Sequence, residues 1–235
     1  MLSFVLIKSD IMSTTKTKLM EEENLAIELF NTVEQRHLIT AGKTEQQLNT
    51  EIFKLAAELF GIEKHWHKRI VRSGANTLLP YYENPPDLVI QEDDILFFDF
   101  GPIVEDWEAD LGRTYVTGND SLKHKLKNDI EKAWYETKEW FHTHTKLPAS
   151  ELYQYAVEKA REYGWSFGGE MAGHLIGEFP HERLEPGNYQ LYVHPDNHND
   201  MFLPDTQGNK REWILELHFV DKEKQFGGFF EQLLT

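Results

Sequence analysis

The sequence predicts an α+β domain in which helices pack on one face of a mainly antiparallel sheet. Helix-like and strand-like segments come in blocks, in the order helix, helix, strands, helix, helix, strands. In the helical blocks, apolar residues recur at three- and four-residue spacing. The strand blocks are rich in β-branched and aromatic residues, and turn sequences such as SGAN and ENPPD separate them.

The first helical block contains two predicted helices. Apolar periodicity predicts one over 21–37, after a loose arm at residues 1–20. The second begins at Thr44, which forms a capping-box pattern with Gln47, and ends at Gly61.

The remaining elements follow the same alternation. We expect strands near 69–73, 86–90, 95–101 and 108–116. Two more helices, over about 119–142 and from Pro148 to about Tyr163, precede a last third of strands and loops. The repeated order suggests internal pseudo-two-fold symmetry. Since no Gly-, Ser- or Pro-rich linker divides the chain, residues 21–235 are predicted to form a single domain.

The composition of the chain excludes several classes of function and partner. The formal net charge is −16, which argues against nucleic acid and anionic membranes as partners and suits a cationic ligand or a metal site. The absence of Cys excludes disulfides, thiolate metal sites and Cys nucleophiles. The opening MLSFVLIK is too short for a signal-peptide core, and no apolar run is long enough to span a bilayer. We therefore expect a cytoplasmic protein.

Acidic residues interrupt three apolar segments. Asp99 lies in ILFFDFG, Glu216 in WILELHF and Glu231 in GGFFEQLL. Because an ionised carboxylate in an apolar setting is costly, each of them needs a partner. The simplest partner is a Lys or Arg at a strand end. The alternative is a divalent cation, which makes neighbouring carboxylates favourable; Asp110, eleven residues after Asp99, could face it from a returning strand.

Four segments together carry a family resemblance: DFGPIVEDWEADLGRTYVTG, GHLIGEFPHE, WILELHFV and FFEQLL. They resemble the pita-bread metallopeptidases, a superfamily that includes methionine aminopeptidases, aminopeptidase P, prolidase and creatinase. The family's metal pattern is two Asp eleven residues apart, then a His, a Glu and a final Glu, and this sequence matches it in order. The resemblance covers roughly 21–235 and implies the pita-bread fold.

The resemblance also implies roles for particular residues. The implied metal ligands are Asp99 on one ion, His174 and Glu216 on the other, and Asp110 and Glu231 on both. Two divalent ions, Mn, Co, Fe or Zn, would hold a bridging hydroxide as the nucleophile. Glu216 would carry the proton, and His181 would hydrogen-bond the scissile carbonyl.

The implied activity is that of a dinuclear metal-dependent exopeptidase, an aminopeptidase or an Xaa-Pro type dipeptidase, acting on short peptides. Three departures leave alternatives open: Tyr81 and Glu170 stand where relatives carry His, and Leu217 stands where Pro usually follows the Glu. Tyr81 would then contact substrate as a neutral hydrogen-bond donor. The alternatives are a non-catalytic binding protein on the same fold and a hydrolase of a non-peptide amide. The oligomeric state stays open, with a homodimer as one option.

The other histidines are assigned ordinary roles. His65 and His67 in HWHKR, and His142 and His144 in FHTHTK, lie in polar segments and are expected to serve surface or packing roles. His218 shares a strand face with Glu216 and could support it.

Overall fold

The computed structural model describes residues 2–182 and 187–235, with side chains described from residue 15 onward. The helices are α1 (Leu2–Gln35), α2 (Glu45–Phe60), α3 (Ser121–His142) and α4 (Ala149–Glu162). The strands are β1 (Lys64–His65), β2 (Ile70–Ser73), β3 (Ile95–Phe100), β4 (Pro102–Val104), β5 (Trp107–Glu108), β6 (Leu111–Val116), β7 (Ser166–Phe167), β8 (Leu175–Ile176), β9 (Glu212–Asp221) and β10 (Phe226–Leu233). A 3₁₀ helix, Gly74–Leu78, follows β2.

The main sheet has the strand order β2-β3-β6-β10-β9-β7, with β8 paired to β9, and its pairs are antiparallel. Each half of the chain supplies two helices followed by strands of this sheet, three from the first half and four from the second. The last strands of the two halves, β6 and β10, meet at its centre. A small sheet of β1, β4 and β5 lies beside it. The predicted α+β class is confirmed.

The two faces of the sheet differ in chemistry, because alternate residues of a strand point to opposite faces. On β3, Leu96, Phe98 and Phe100 pack in a core with residues of α1 and α2. On β9, Leu215 and Leu217 pack in a second core with residues of α3 and α4. The residues between them, Asp99 and Glu216 among others, therefore face the opposite side, which we call the free face. Of α1, Leu19 packs on this face against Ile214 and Leu233.

The predicted ends of α2 are confirmed. Thr44 Oγ1 accepts the backbone N–H of Gln47 at 3.1 Å, and the Gln47 side chain accepts the backbone N–H of Thr44 at 2.9 Å. Gly61 closes the helix with φ 67°, a left-handed conformation that glycine adopts without a steric penalty.

Two local predictions need correction. Helix α1 begins at Leu2, so the backbone of the predicted loose arm is helical, and buried Leu19 fixes it against Ile176, Ile214 and Leu233. The predicted strand at 86–90 is absent.

Residues of the 86–90 segment pair with the loop before α2 instead of with the sheet. The N–H of Ile90 donates to Lys43 O, and the N–H of Gly42 donates to Ile90 O, both at 2.9 Å. Proline at 85 and 86 removes two backbone donors that a ladder would need. Among the described residues, no helix has the length and apolar character needed to cross a bilayer.

Candidate metal centre

Three carboxylates lie on one row that crosses the centre of the sheet. Asp99 on β3 pairs with Gly112 on β6, Gly112 pairs with Glu231 on β10, and Glu231 pairs with Glu216 on β9. Directly paired residues project from the same face of a sheet. The pairing of four strands therefore brings together acids that lie up to 132 positions apart in the sequence, from 99 to 231.

Gly112 makes this row possible. A methyl group at Gly112 would lie 2.8 Å from Glu231 Cβ and 2.5 Å from Phe229 Cδ1, closer than carbon atoms approach without a shift of one of them. The absence of a side chain in the middle of the row leaves space for the flanking carboxylates.

Asp110 and His174 complete the cluster from connecting segments. Asp110 lies between β5 and β6, and His174 immediately precedes β8. His174 Nε2 lies 3.2 Å from Asp110 Oδ2 and 3.7 Å from Glu231 Oε1. These three side chains offer ligand atoms that lie within 4.8 Å of one another. The five side chains that the resemblance singled out as metal ligands are thus neighbours.

The cluster lies at the wall of a cavity of about 310 Å³ on the free face of the sheet. That volume is at the lower end of the range for small-ligand pockets, which is roughly 300–1,000 Å³. Loops cover the cavity, and the residues that line it include Trp66, Leu79, Tyr81, Tyr82, Glu170, Met171, His181 and Tyr192. The cavity therefore places apolar and aromatic walls above a charged site.

Without cations, the carboxylates resist ionisation. Burial raises the pKa of Asp99 to about 6, although His67 opposes the shift. Burial raises the pKa of Glu216 to about 7, and the charges of Asp99 and Asp110 act in the same direction. The pKa of Glu231 lies well above its usual value, because of burial first and of Asp110 second.

The pKa values of Asp110 and His174 are shifted in the direction that favours the charged forms. Burial opposes ionisation of Asp110, but His67 and His174 outweigh it and lower the pKa of Asp110 to about 2. Burial also disfavours the charged form of His174, yet Asp110 and Glu231 raise its pKa well above the usual value. The cluster therefore attracts positive charge.

A separate observation also indicates that these residues fit a divalent cation. Within the part of the chain that the structure describes, Glu231 Oε2 is buried and lacks a hydrogen-bond partner. A buried carboxylate oxygen without a partner is unfavourable in a folded protein, and a cation would satisfy it. Carboxylates with imidazole are ligands suited to Mn, Co, Fe or Zn.

His181 lies on the cavity wall beside the cluster. Its Nδ1 lies 2.6 Å from Oε2 of Glu108, whose side chain is fully buried. The backbone N–H of His181 also donates to Glu108 Oε1 at 3.3 Å. Glu108 is a residue that sequence reasoning missed; its place in β5, two residues before Asp110, is the signal that could have identified it.

Tyr81 and Glu170, two of the three departures from the family pattern, both line the cavity. The Tyr81 ring stands edge-on to His67, with 5.7 Å between ring centroids, and its hydroxyl accepts the Lys68 backbone N–H at 3.2 Å. Glu170 Oε1 accepts the Tyr82 hydroxyl at 3.4 Å. Both positions can therefore contact a bound molecule.

His67, for which the sequence suggested a surface or packing role, lies in the cluster instead. Its side chain is 8% exposed, and its Nε2 lies 3.1 Å from Asp110 Oδ1 and 3.5 Å from Asp99 Oδ1. Its place beside the cluster follows from strand pairing, because Ile70, three residues later, pairs with Asp99. His65 does pack, against Phe53 and Phe100, and His218 contacts Thr77 O at 2.7 Å.

A cluster of carboxylates and imidazoles thus lies on the free face of an antiparallel sheet in an α+β fold. The chain belongs to metallopeptidase family M24, whose family model matches residues 19–205. Its fold is the pita-bread fold of that family. A curated Xaa-Pro dipeptidase from Pyrococcus horikoshii is 28% identical over 197 residues, covering 74% of this chain and 54% of that protein.

Solved structures share the fold. An X-Pro aminopeptidase from Thermotoga maritima has a TM-score of 0.75 at 21% identity and covers 95% of this chain and 61% of its own. A methionine aminopeptidase from Rickettsia prowazekii has a TM-score of 0.64 at 14% identity and covers 93% of both chains. This chain thus spans 54% of the curated dipeptidase and 61% of the X-Pro aminopeptidase.

Proposed function

We propose that this protein is a dinuclear metal-dependent exopeptidase that hydrolyses short peptides, as an aminopeptidase or an Xaa-Pro dipeptidase. The observation that supports the proposal best is the grouping of Asp99, Asp110, His174, Glu216 and Glu231 beside one cavity. Membership of family M24 and the similarity to an Xaa-Pro dipeptidase agree with it.

Asp110 and Glu231 would bridge two ions, with Asp99 on one side and His174 and Glu216 on the other. Four carboxylates would balance the charge of two divalent cations. Bound ions of this kind polarise a carbonyl and lower the pKa of a bound water molecule. Mn, Co, Fe and Zn all suit this ligand set.

Glu216 would move the proton. Its pKa, raised to about 7 in the metal-free protein, lies near that of an effective general base at neutral pH. Bound cations would lower that pKa and keep the carboxylate ionised. Glu216 would accept a proton from the attacking water and deliver it to the leaving amine.

His181 and Tyr81 would orient the peptide. With Nδ1 2.6 Å from Glu108 Oε2, His181 would present its Nε2 to the scissile carbonyl oxygen. Tyr81 would offer a neutral hydroxyl from the cavity wall. The cluster's acids and Glu170 would favour the free α-amino group of a short peptide.

A non-catalytic binding protein is the second candidate. The observation that favours it is the presence of Tyr81 and Glu170 on the cavity wall, where relatives carry histidines. A third possibility, hydrolysis of a non-peptide amide, would use the same centre.

The test begins with metal-stripped protein. Adding Mn²⁺ or Co²⁺ should raise the melting temperature in a concentration-dependent manner. A panel of X-Pro dipeptides, X-Pro-Y tripeptides and Met-peptides then measures turnover. Glu216→Gln should lower kcat by about 10²–10⁴; exposed Glu63→Gln is the control.

The outcomes separate the candidates. Turnover that Glu216→Gln abolishes supports the peptidase. Metal binding without turnover of any peptide supports the binding protein, and turnover restricted to non-peptide amides supports the third possibility. No change in melting temperature with either ion would contradict the peptidase and the metal-dependent amide hydrolase.

We also propose that residues 21–235 form one catalytic domain and that the protein is cytoplasmic. Light scattering would decide between a monomer and a homodimer. Cell fractionation with a specific antibody would test the compartment.

A further inference from the structure

We propose that His67 is an additional metal ligand, on the Asp99 side of the centre. The inference rests on the proposed function, because it adds a residue to the same dinuclear site. His67 lies in the segment between β1 and β2, outside the four segments that carry the family resemblance.

The distances around His67 suit a metal ligand. His67 Nε2 lies 3.1 Å from Asp110 Oδ1 and 3.5 Å from Asp99 Oδ1. Ligand atoms bound to one ion at about 2.1 Å are separated by roughly 3.0–3.4 Å in octahedral or tetrahedral geometry. Both distances from His67 are close to that spacing, and one ligand atom each from His67, Asp99 and Asp110 lies within 4.8 Å of the others.

A hydrogen bond sets the orientation of the His67 ring. His67 Nδ1 lies 2.8 Å from Lys68 O, and a carbonyl oxygen can only accept a hydrogen bond. Nδ1–H therefore donates to Lys68 O, and the ring directs Nε2 at the carboxylates of Asp99 and Asp110. A cation bound between Nε2 and these carboxylates would contact all three side chains. A hydrogen bond from the other ring nitrogen to a carbonyl oxygen commonly orients histidines that bind metals.

His174 has the same arrangement on the other side. Its Nδ1 lies 2.9 Å from Leu175 O, and its Nε2 faces Asp110 Oδ2 at 3.2 Å. Asp110 thus has one imidazole beside each oxygen, and each imidazole is held by the carbonyl of the residue that follows it. If Asp110 bridges two ions, each ion meets one histidine.

The residues around His67 leave space for its imidazole ring. A methyl group at Gly101 would overlap the His67 imidazole and the Trp66 indole. Trp66 Nε1 donates to Ala109 O at 3.1 Å, and its ring stands edge-on to His67 with centroids 4.3 Å apart. Neighbouring residues thus hold His67 over Asp99.

A nitrogen ligand at both positions predicts a preference for Co²⁺ or Zn²⁺ over Mg²⁺, which favours oxygen ligands.

Cobalt-loaded protein provides the test. In the proton NMR spectrum of a Co²⁺ protein, an Nδ1–H on a bound imidazole gives a strongly shifted signal that vanishes in D₂O. At saturation we expect two such signals in the wild type and one in His67→Asn. The affinity for the ion on the Asp99 side should fall at least 10–100-fold, the loss typical even for outer-sphere partners. His65→Gln, two residues away, is the matched control and should keep both signals.

The wild-type spectrum decides the question even if the variant folds poorly. One exchangeable signal in the fully loaded wild type, or two that persist in His67→Asn, would overturn the assignment of His67 while leaving the proposed function intact. A wild-type protein that binds no Co²⁺ would instead contradict the dinuclear centre itself.

Discussion

Glu216 and Glu231 are directly paired across neighbouring antiparallel strands, with their side chains on the same face of the sheet. Two carboxylates at such a position repel when both are ionised. The metal-free protein reduces this repulsion by retaining protons, as the raised pKa values of both residues indicate.

The pairing predicts a pH-dependent effect of Glu216→Gln on metal-free protein. The pKa of Glu216 is about 7 in the folded state and ordinarily 4.5, so the folded state keeps the proton up to a higher pH. Glu216 therefore lowers the free energy of unfolding progressively as the pH rises from about 4.5 to 7. The variant should match the wild type near pH 4.5 and be more stable at pH 8, by about 2–3 kcal/mol.

Urea unfolding in the presence of a chelator measures this difference. Exposed Glu63→Gln is the control and should give a small difference that does not depend on pH. A Glu216→Gln effect of equal size at both pH values would contradict the prediction.

The contact between His181 and Glu108 predicts a defect in turnover without a defect in metal binding. His181→Asn removes the proposed donor to the carbonyl and should lower kcat by about 10²–10³. The melting-temperature rise with Mn²⁺ should persist, since His181 is outside the proposed ligand set. Glu108→Gln keeps a hydrogen-bond acceptor for Nδ1–H and should have a smaller effect. Equal loss of metal binding in His181→Asn would mean that its role is misassigned.

Gly112→Ala should disturb the centre of the sheet. The added methyl group would meet Phe229 and Glu231 at 2.5–2.8 Å, and such overpacking costs about 1–3 kcal/mol. Both thermal stability and Mn²⁺ affinity should fall. Gly177→Ala is the matched control, because its methyl group would meet its nearest neighbour, His181 Cβ, only at 4.0 Å. Unchanged metal affinity in Gly112→Ala would argue against the row as the ion site.

Leu19 is expected to hold α1 to the sheet. It is 1% exposed and packs with Ile176, Ile214 and Leu233. Leu19→Ala should lower the free energy of unfolding by about 2–4 kcal/mol. Neighbouring Met20 is 47% exposed, so Met20→Ala should change it little. Similar effects of the two substitutions in a urea titration would contradict the anchoring role.

Tyr81→His should raise peptide turnover if Tyr81 occupies the position of the family's additional histidine. An imidazole there can carry a positive charge near neutral pH, which a phenol cannot. Tyr82→His, on the more exposed neighbouring side chain, is the control. An unchanged rate in Tyr81→His, or an equal gain in both variants, would show that the correspondence is wrong.

Much of this fold was predictable because its signals are local. The capping box of Thr44 and Gln47 and the Gly61 stop lie within one helix, so short-range chemistry specifies them. The acids were conspicuous because each interrupts an apolar strand. Strand pairing then determines which acids meet, and only the family resemblance anticipated that grouping.

The remaining features depend on tertiary contacts. His67 occurs in a polar segment, and only the placement of that segment over β3 brings it to Asp99. The strand-like residues 86–90 bond to the loop before α2, because that loop supplies the nearby backbone partners. Local composition carries no information about either neighbour.

The row of Asp99, Gly112, Glu231 and Glu216 has a consequence for folding. A slip of one residue in any pairing would turn an acid toward the helices and move a large apolar side chain into its place. Divalent ions would bind only the correctly aligned sheet. By mass action, this binding would lower the population of misaligned forms. The cations proposed to serve catalysis would thereby also favour the correct pairing of the strands from the two halves of the chain.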